Sequence, residues 1–450
     1  MSASSLEAAV QRLNDRIAHD PEINPELFAR LHAAQRAEGL LHDTRPIGSF
    51  LRPLVLPRSR YETIKRAAET IAVAMERLVE EALRDEALMV DLGLTEREAA
   101  LARIDPGYPT LCVSSRLDAF LSDAGFQFLE YNAESPAGIV DQLLLEKIFF
   151  DLPHIREFLQ QHSPWLPRPH QHLLRALVDT YRAWGGDKEQ PCIGIIDWAG
   201  VSTESEFKVL KSYFESEGYP TLIADPHELD YTNHTLTARG STIDILYKRV
   251  IIHELLAKFD DTHPMLRAYR DGSVCMANSF RVKVAHKKAS FAILSDPRYE
   301  HFFTAEQLAV IRNHIPWTRH LRRGLTTYEL IEHDMLDLVQ RKRERLVIKP
   351  NDEYGGHGVV IGAETDPQEW WQIILGALKD SYVVQERVPV KKERMPMFTD
   401  HLEWPEMLID FDPFLFLNKV EGGIVRLSES SLCNVSSGGG VTSLVVLEDD

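Results

Sequence analysis

Arg116-Leu117-Asp118 and, a short turn later, Glu130-Tyr131-Asn132 are the residues that most constrain this chain. Residues 110–118 (TLCVSSRLD) predict a strand, Ser122-Asp123-Ala124-Gly125 a turn, and 126–132 (FQFLEYN) a second, aromatic-rich strand. Side chains two apart on a strand share a face. Arg116 therefore points with Asp118, and Glu130 with Asn132. If the two faces coincide, the hairpin offers two carboxylates and an amide carbonyl to one point beside a permanent cation. That all-oxygen set suits a hard cation such as Mg2+, which keeps water and substrate phosphate as its remaining ligands. A half-exposed hairpin with a solvated polar face has the same pattern, so this segment alone leaves both readings open.

A second segment, residues 346–362 (LVIKPNDEYGGHGVVIG), predicts an apolar strand ending in Lys349, a loop bearing Gly355, Gly356 and Gly358, and a returning apolar strand. Glycines let backbone amides approach a polyphosphate and let a loop move. A lysine at the strand end supplies a point charge for phosphate. There is no G-x-x-x-x-G-K-[ST] string here, and the glycines lead into a strand rather than a helix, so neither a Walker A loop nor a Rossmann fingerprint is present. Glycine clusters are usually ordinary hairpins; a strand-end lysine, three glycines and a returning strand make a more specific pattern.

Together the two segments resemble the circularly permuted ATP-grasp ligases, the group that includes the synthetase domain of glutathionylspermidine synthase. The likeness rests on R-L-D…E-Y-N-A over 116–133, on A-H-K-K-A over 285–289, and on order. The metal hairpin precedes the lysine–glycine loop, the reverse of ordinary ATP-grasp enzymes. It covers roughly residues 110–440 and singles out no member. The resemblance implies ATP and Mg2+ as cofactors, with Asp118, Glu130 and Asn132 as metal ligands. It implies Lys349 and Lys288, the latter chosen over Lys287, as nucleotide lysines, with Gly355, Gly356 and Gly358 over the phosphates. Arg116, and Arg426 after Gly422-Gly423, would steady an acyl phosphate or the transferring phosphoryl group. Gln385 and Glu386 follow the apolar Tyr382-Val383-Val384, where backbone reads the adenine edge and an acid takes the ribose. Asn434 sits in a polar loop expected near the phosphates.

The reaction implied is phosphorylation of a carboxylate by ATP, then attack of an amine on the acyl phosphate, with ADP and phosphate released. Small-molecule or peptide carboxylates and amines are the expected partners. The alternatives are a phosphotransferase and a nucleotide-binding partner protein that has lost catalysis; a degenerate protein should have lost Arg116 or a metal ligand, and all are present.

Composition excludes other classes. The net charge of -18 disfavours nonspecific nucleic-acid binding, which needs a basic footprint. Cys112, Cys192, Cys275 and Cys433 form no C-x-x-C pair, so thiols in a reducing compartment are expected. The N-terminal residues lack a signal-peptide apolar core, and no apolar run is long enough to span a bilayer. The cytoplasm is the expected location, without membrane attachment; no feature fixes an oligomeric state. The 18 histidines contain no H-E-x-x-H, and no nucleophile-elbow string occurs.

The expected fold class is mixed α+β and α/β: a circularly permuted ATP-grasp fold with a pre-ATP-grasp α/β lobe and a helical N-terminal region. Residues 1–105 read as mostly helical, with helical periodicity clearest in 58–90. Residues 106–160 hold the metal hairpin and a following helix (139–150), part of the ATP-grasp core. Residues 161–280 alternate helix and strand, as an α/β lobe does. Residues 281–450 form the nucleotide-binding lobe and the return to the core. Asp197-Trp198 ends a buried strand, where ligands bind in open α/β sheets; Ser202 and Thr203 are expected to cap the helix after it.

Overall fold

Ile64, Ala68, Ile71, Met75, Leu78 and Ala82 recur at helical spacing, and each is 0% exposed. They form the buried stripe of a long helix, α1 (Arg58–Arg84). The computed structural model describes residues 3–122, 125–431, 435 and 439–449. After α1 come β1 (Ser114–Ser122), β2 (Gly125–Asn132), α2 (Asp141–Phe149) and α3 (Pro169–Trp184). An alternating stretch follows: β3 (Ile193–Ile196), α4 (Glu204–Ser216), β4 (Thr221–Ala224), β5 (Ile245–Lys248), α5 (Ile252–Lys258) and β6 (Cys275–Ala277). The short α6 (Lys283–His286) leads to β7 (Thr318–His320), β8 (Leu346–Pro350), β9 (Val360–Ile361), α7 (Pro367–Ala377) and β10 (Tyr382–Glu386). Last are β11 (Lys392–Arg394), β12 (Glu406–Phe416), β13 (Lys419–Ser428) and β14 (Gly440–Thr442).

Three sheets position the site. The central one is antiparallel and six-stranded, ordered β14-β13-β12-β1-β2, with β11 also pairing with β12. Leu117, Ala119 and Leu121 on β1 alternate with Arg116, Asp118 and Phe120, and the apolar set joins the α1 stripe in one core. The second set faces away from it, toward a cavity. The second sheet is parallel, ordered β6-β5-β3-β4. Its Ile193, Ile195, Ile196, Ile245 and Leu246 are all fully buried, as strands covered on both faces require. The third is antiparallel, ordered β7-β10-β8-β9; Trp370 and Ile374 of α7 pack on its Leu346, Ile348 and Val384.

Two expectations need correction. Residues 110–113 are not strand: β1 begins at Ser114, and the Val113 and Ser114 amides donate to Asn278 Oδ1 at 2.6 and 3.1 Å instead of to a neighbouring strand. The 1–105 stretch is mostly helical but also supplies the strand Leu54–Pro57, which pairs in parallel with Leu444–Leu447. Asp123 and Ala124, in the expected turn, lie outside the described residues. No helix among the described residues is long and apolar enough to cross a membrane, and Cys112, Cys192 and Cys275 are free thiols.

Candidate active site

Strand register brings the hairpin residues to one place. Arg116 pairs with Asn132 and Asp118 with Glu130 across β1 and β2, so the four share a face. Asp410 pairs with Phe120 on one side and Arg426 on the other, which sets Asp412 next to Asp118. This face lines a cavity of about 1210 Å³, to which all three sheets contribute: Asp118 and Arg426, Arg249 beyond β5, and Lys349 and Gln385 from β8 and β10.

The centre is a buried cluster of acids and arginines. Arg116 chelates Asp118, donating Nε to Oδ1 at 2.9 Å and Nη2 to Oδ2 at 3.2 Å. Arg426 Nη2 reaches Asp118 Oδ2 at 2.7 Å and also pairs with Asp410. Burial opposes ionisation of Asp118, but Arg116 and Arg426 together hold it well below the usual carboxylate range. Asp412 differs. Burial, with Asp118 and Asp410 close by, pushes it well above that range despite Arg426, and Asp410 is also raised. Asp410 Oδ1 and Asp412 Oδ2 are buried without a well-directed donor, although Arg426 Nη2 lies 2.7 Å from the latter. Both raised carboxyls face the same Arg426 guanidinium.

Asn132 Nδ2 donates to Asp118 Oδ1 at 2.7 Å and to Glu130 Oε1 at 3.3 Å. The amide NH2 group thus bridges the two carboxylates. Turning that amide would present its carbonyl oxygen instead and complete the all-oxygen set that a hard divalent cation prefers. The donor chemistry of Asp118, Glu130 and Asn132 therefore fits such a cation.

The lysines converge from the third sheet and from the turn just after α6. Lys349 Nζ donates to Gln385 Oε1 at 2.7 Å, and burial pulls its amine down to about 8, against the opposing effect of Glu130. Lys288 lies 3.0 Å from Glu130 Oε2 and donates to Glu353 O at 2.7 Å, at the start of the glycine loop. Lys287 points elsewhere, to Glu98 at 3.1 Å and Asp352 at 2.5 Å. Gly355, Gly356 and Gly358 all have left-handed φ, and a Cβ on Gly358 would come within 2.6 Å of Pro350 Cγ. Tyr354 in this loop donates to Glu254 Oε1 at 2.9 Å, while Trp198 Nε1 donates to Glu254 Oε2 at 2.8 Å. The loop is thereby tied to α5.

Gln385 is buried and spends its side chain on Lys349, Thr318 Oγ1 (3.0 Å) and Leu129 O (3.2 Å). Glu386 lines the cavity and accepts from Tyr328 Oη at 2.9 Å and Arg345 at 2.5 Å. Asn434 lies outside the described residues, as do Cys433 and 436–438. The capping expectation fails: Thr203 occupies the N-cap of α4 but makes no side-chain cap bond, and Ser202 and Thr203 line the cavity. Glu134, His286 and Asp352 cluster, but Lys283 Nζ bonds Glu134 and Asp352 at 2.6 Å each, a cation already in the place a metal would take.

Sequence reasoning missed Asp410 and Asp412. The signal was available, because they stand two apart like Arg116 and Asp118. The apolar run around them (MLIDFDPFLF) reads as a buried strand.

No family model matches this chain. It is 27% identical over 218 residues to "Putative glutamate--cysteine ligase 2-3" of Frankia alni, and 27% identical over 217 residues to "Putative glutamate--cysteine ligase 2-2" of Frankia casuarinae. Each match covers 45% of this chain and 23% of the relative, so the chain matches under a quarter of each relative's length. Among solved structures, a glutathione synthetase-like effector from Globodera pallida superposes with a TM-score of 0.62 at 14% identity, covering 96% of this chain and 99% of that one. This chain therefore shares its mixed α/β fold with that effector over almost its whole length.

Proposed function

We propose that this chain is an ATP-dependent carboxylate–amine ligase on a circularly permuted ATP-grasp fold, making an amide through an acyl phosphate and releasing ADP and phosphate. One observation carries the reading: Arg116, Arg426, Lys288 and Lys349 line one cavity with Asp118, Glu130 and Asn132. Four cations beside a hard-cation donor set are what a triphosphate and a transferring phosphoryl group require. Lys349 and Lys288 would meet the phosphates, under a glycine loop positioned to keep water from a hydrolysable intermediate. Asp118, Glu130 and Asn132 would hold Mg2+, which when bound neutralises phosphate charge as a Lewis acid. Arg116 and Arg426 give an acyl phosphate two anchors, whereas a pure ATPase needs to hold only water. The relatives' names support an amino acid or peptide as the carboxylate, and the composition supports a cytoplasmic setting. The test is an ADP- and phosphate-release screen against amino acids, small peptides and amines, with mass detection of products. Carboxylate-dependent ADP formation with an amide product supports the reading; ATP turnover indifferent to any carboxylate contradicts it.

A further inference from the structure

A second set of cavity-lining side chains is acidic and lies around the turn that follows β2. Glu206 on α4 accepts from the Ile139 amide at 2.9 Å (Oε1) and from the Gly138 amide at 3.3 Å (Oε2). Asp141, the first residue of α2, lies over the same turn: a Cβ on Gly138 would sit 3.1 Å from Asp141 Oδ2. Arg116 reaches this turn as well, donating Nη1 to Ala137 O at 3.0 Å. Asp141 lines the cavity, and among the described residues its carboxyl has no hydrogen-bond or ion-pair partner. Arg249, 3% exposed, lines the same cavity. Its Nη1 donates to Pro136 O at 2.6 Å, its Nη2 stands 3.9 Å from Glu206, and its buried Nε has no acceptor. An unpartnered carboxyl and a buried arginine with an unmet donor thus line one cavity around the same turn, a place for a ligand carrying both an ammonium and an acceptor group.

We infer that Asp141 is the residue that takes the proton from the ammonium of the amine substrate, within reach of the acyl group held by Arg116. The inference rests on the ligase reading above. In the step, an N–H bond of the ammonium breaks, its electron pair stays on nitrogen, and the proton passes to the Asp141 carboxylate. The freed pair forms the C–N bond to the acyl carbon. The C–O bond to phosphate breaks, and phosphate leaves with that pair and the second nitrogen proton. Arg249 meets an acceptor or anionic group of the same molecule, which fits an amino acid better than a simple alkylamine. The groups facing Asp141 are Glu206 from α4 and Arg116 from β1. Burial, then Glu206, push Asp141 up to about 7 against Arg116, so it is half ionised near neutral pH and suited to accept a proton there.

The test is Asp141→Asn in the full chain, assayed with two nucleophiles. Hydroxylamine is largely unprotonated at neutral pH and captures an acyl phosphate as a hydroxamate without a base. With the ammonium substrate found in the screen, amide formation should fall about 100-fold or more, and the limb of its pH profile that rises through neutrality should vanish. Hydroxamate capture should persist. Equal loss of both products, or loss of neither, overturns the assignment. Wild-type protein that makes no hydroxamate with any carboxylate would instead contradict the ligase reading. A second measurement stands independent of turnover: carboxyl NMR of aspartate-labelled protein. The resonance missing from Asp141→Asn should titrate near neutrality and move with methylammonium chloride but not with potassium chloride at equal ionic strength. No methylammonium-specific movement overturns the proposal.

Discussion

Asn132 Nδ2 donates to Asp118 Oδ1 at 2.7 Å, and the same amide reaches Glu130, so an amide proton stands where the two carboxylates of the hairpin converge. A divalent cation entering there competes with that proton and recruits the amide oxygen. Asn132→Ala should weaken ATP binding about 10–100-fold when Mg2+ is present and leave it at the wild-type value in EDTA. Calorimetry under both conditions decides: an equal loss in EDTA would show that the amide serves only to hold the hairpin.

Lys349 predicts a pH dependence. Its folded-state pKa, about 8, lies below that of an ordinary lysine because it is buried, with Glu130 opposing the shift. ATP affinity should fall as pH rises through this value, since the site loses a positive charge. In Lys349→Met that limb should disappear. The stability term has the opposite sense. Between about 8 and the ordinary lysine range the unfolded chain holds a proton that the folded site has released, so this group's contribution to stability improves with rising pH. Calorimetric titrations and thermal unfolding across this range check the two effects separately.

The buried acids should respond differently to amide substitution. Asp118 neutralises two guanidinium groups, so Asp118→Asn should destabilise by about 3–5 kcal/mol. Burial and the neighbouring acids push Asp412 the opposite way, so Asp412→Asn should cost less than Asp118→Asn, about 1 kcal/mol or below. Denaturant unfolding of both variants measures this. A loss for Asp412→Asn as large as that for Asp118→Asn would mean that its charge holds the arginines in the same way.

Tyr354 ties the glycine loop to Glu254 through one bond at 2.9 Å. Tyr354→Phe removes about 0.5–1.5 kcal/mol of restraint. Hydrogen exchange in 353–358 should quicken in the free variant and slow again when ATP is added. An exchange rate unaffected by ATP in the wild type would argue for a static hairpin rather than a closing lid.

How far the sequence could be read depended on the distance over which each residue finds its partners. The Arg116/Asp118 and Glu130/Asn132 faces were legible because period-two alternation and a short turn determine the pairing locally. The Lys349 strand, its glycine loop and the returning strand were legible for the same reason. Asp410 and Asp412 were not, because their meaning comes from β12 lying beside β1, a pairing separated by more than half the chain. Asp141, Glu206 and Arg249 come from three distant parts of the chain and gather around the 136–139 turn, which no local spacing announces. The start of β1 was misplaced because Asn278, remote in sequence, takes the amides that a strand partner would otherwise bond.

The central claim is that ATP is spent in activating a carboxylate at Arg116 and Arg426. The most direct measurement follows a heavy-oxygen label from the substrate carboxylate into inorganic phosphate, with nucleotide products separated in the same reaction. The account predicts ADP, one labelled oxygen per phosphate released, and a turnover in Arg116→Ala that falls far more than ATP affinity does. AMP with pyrophosphate, or ADP with unlabelled phosphate, would contradict it.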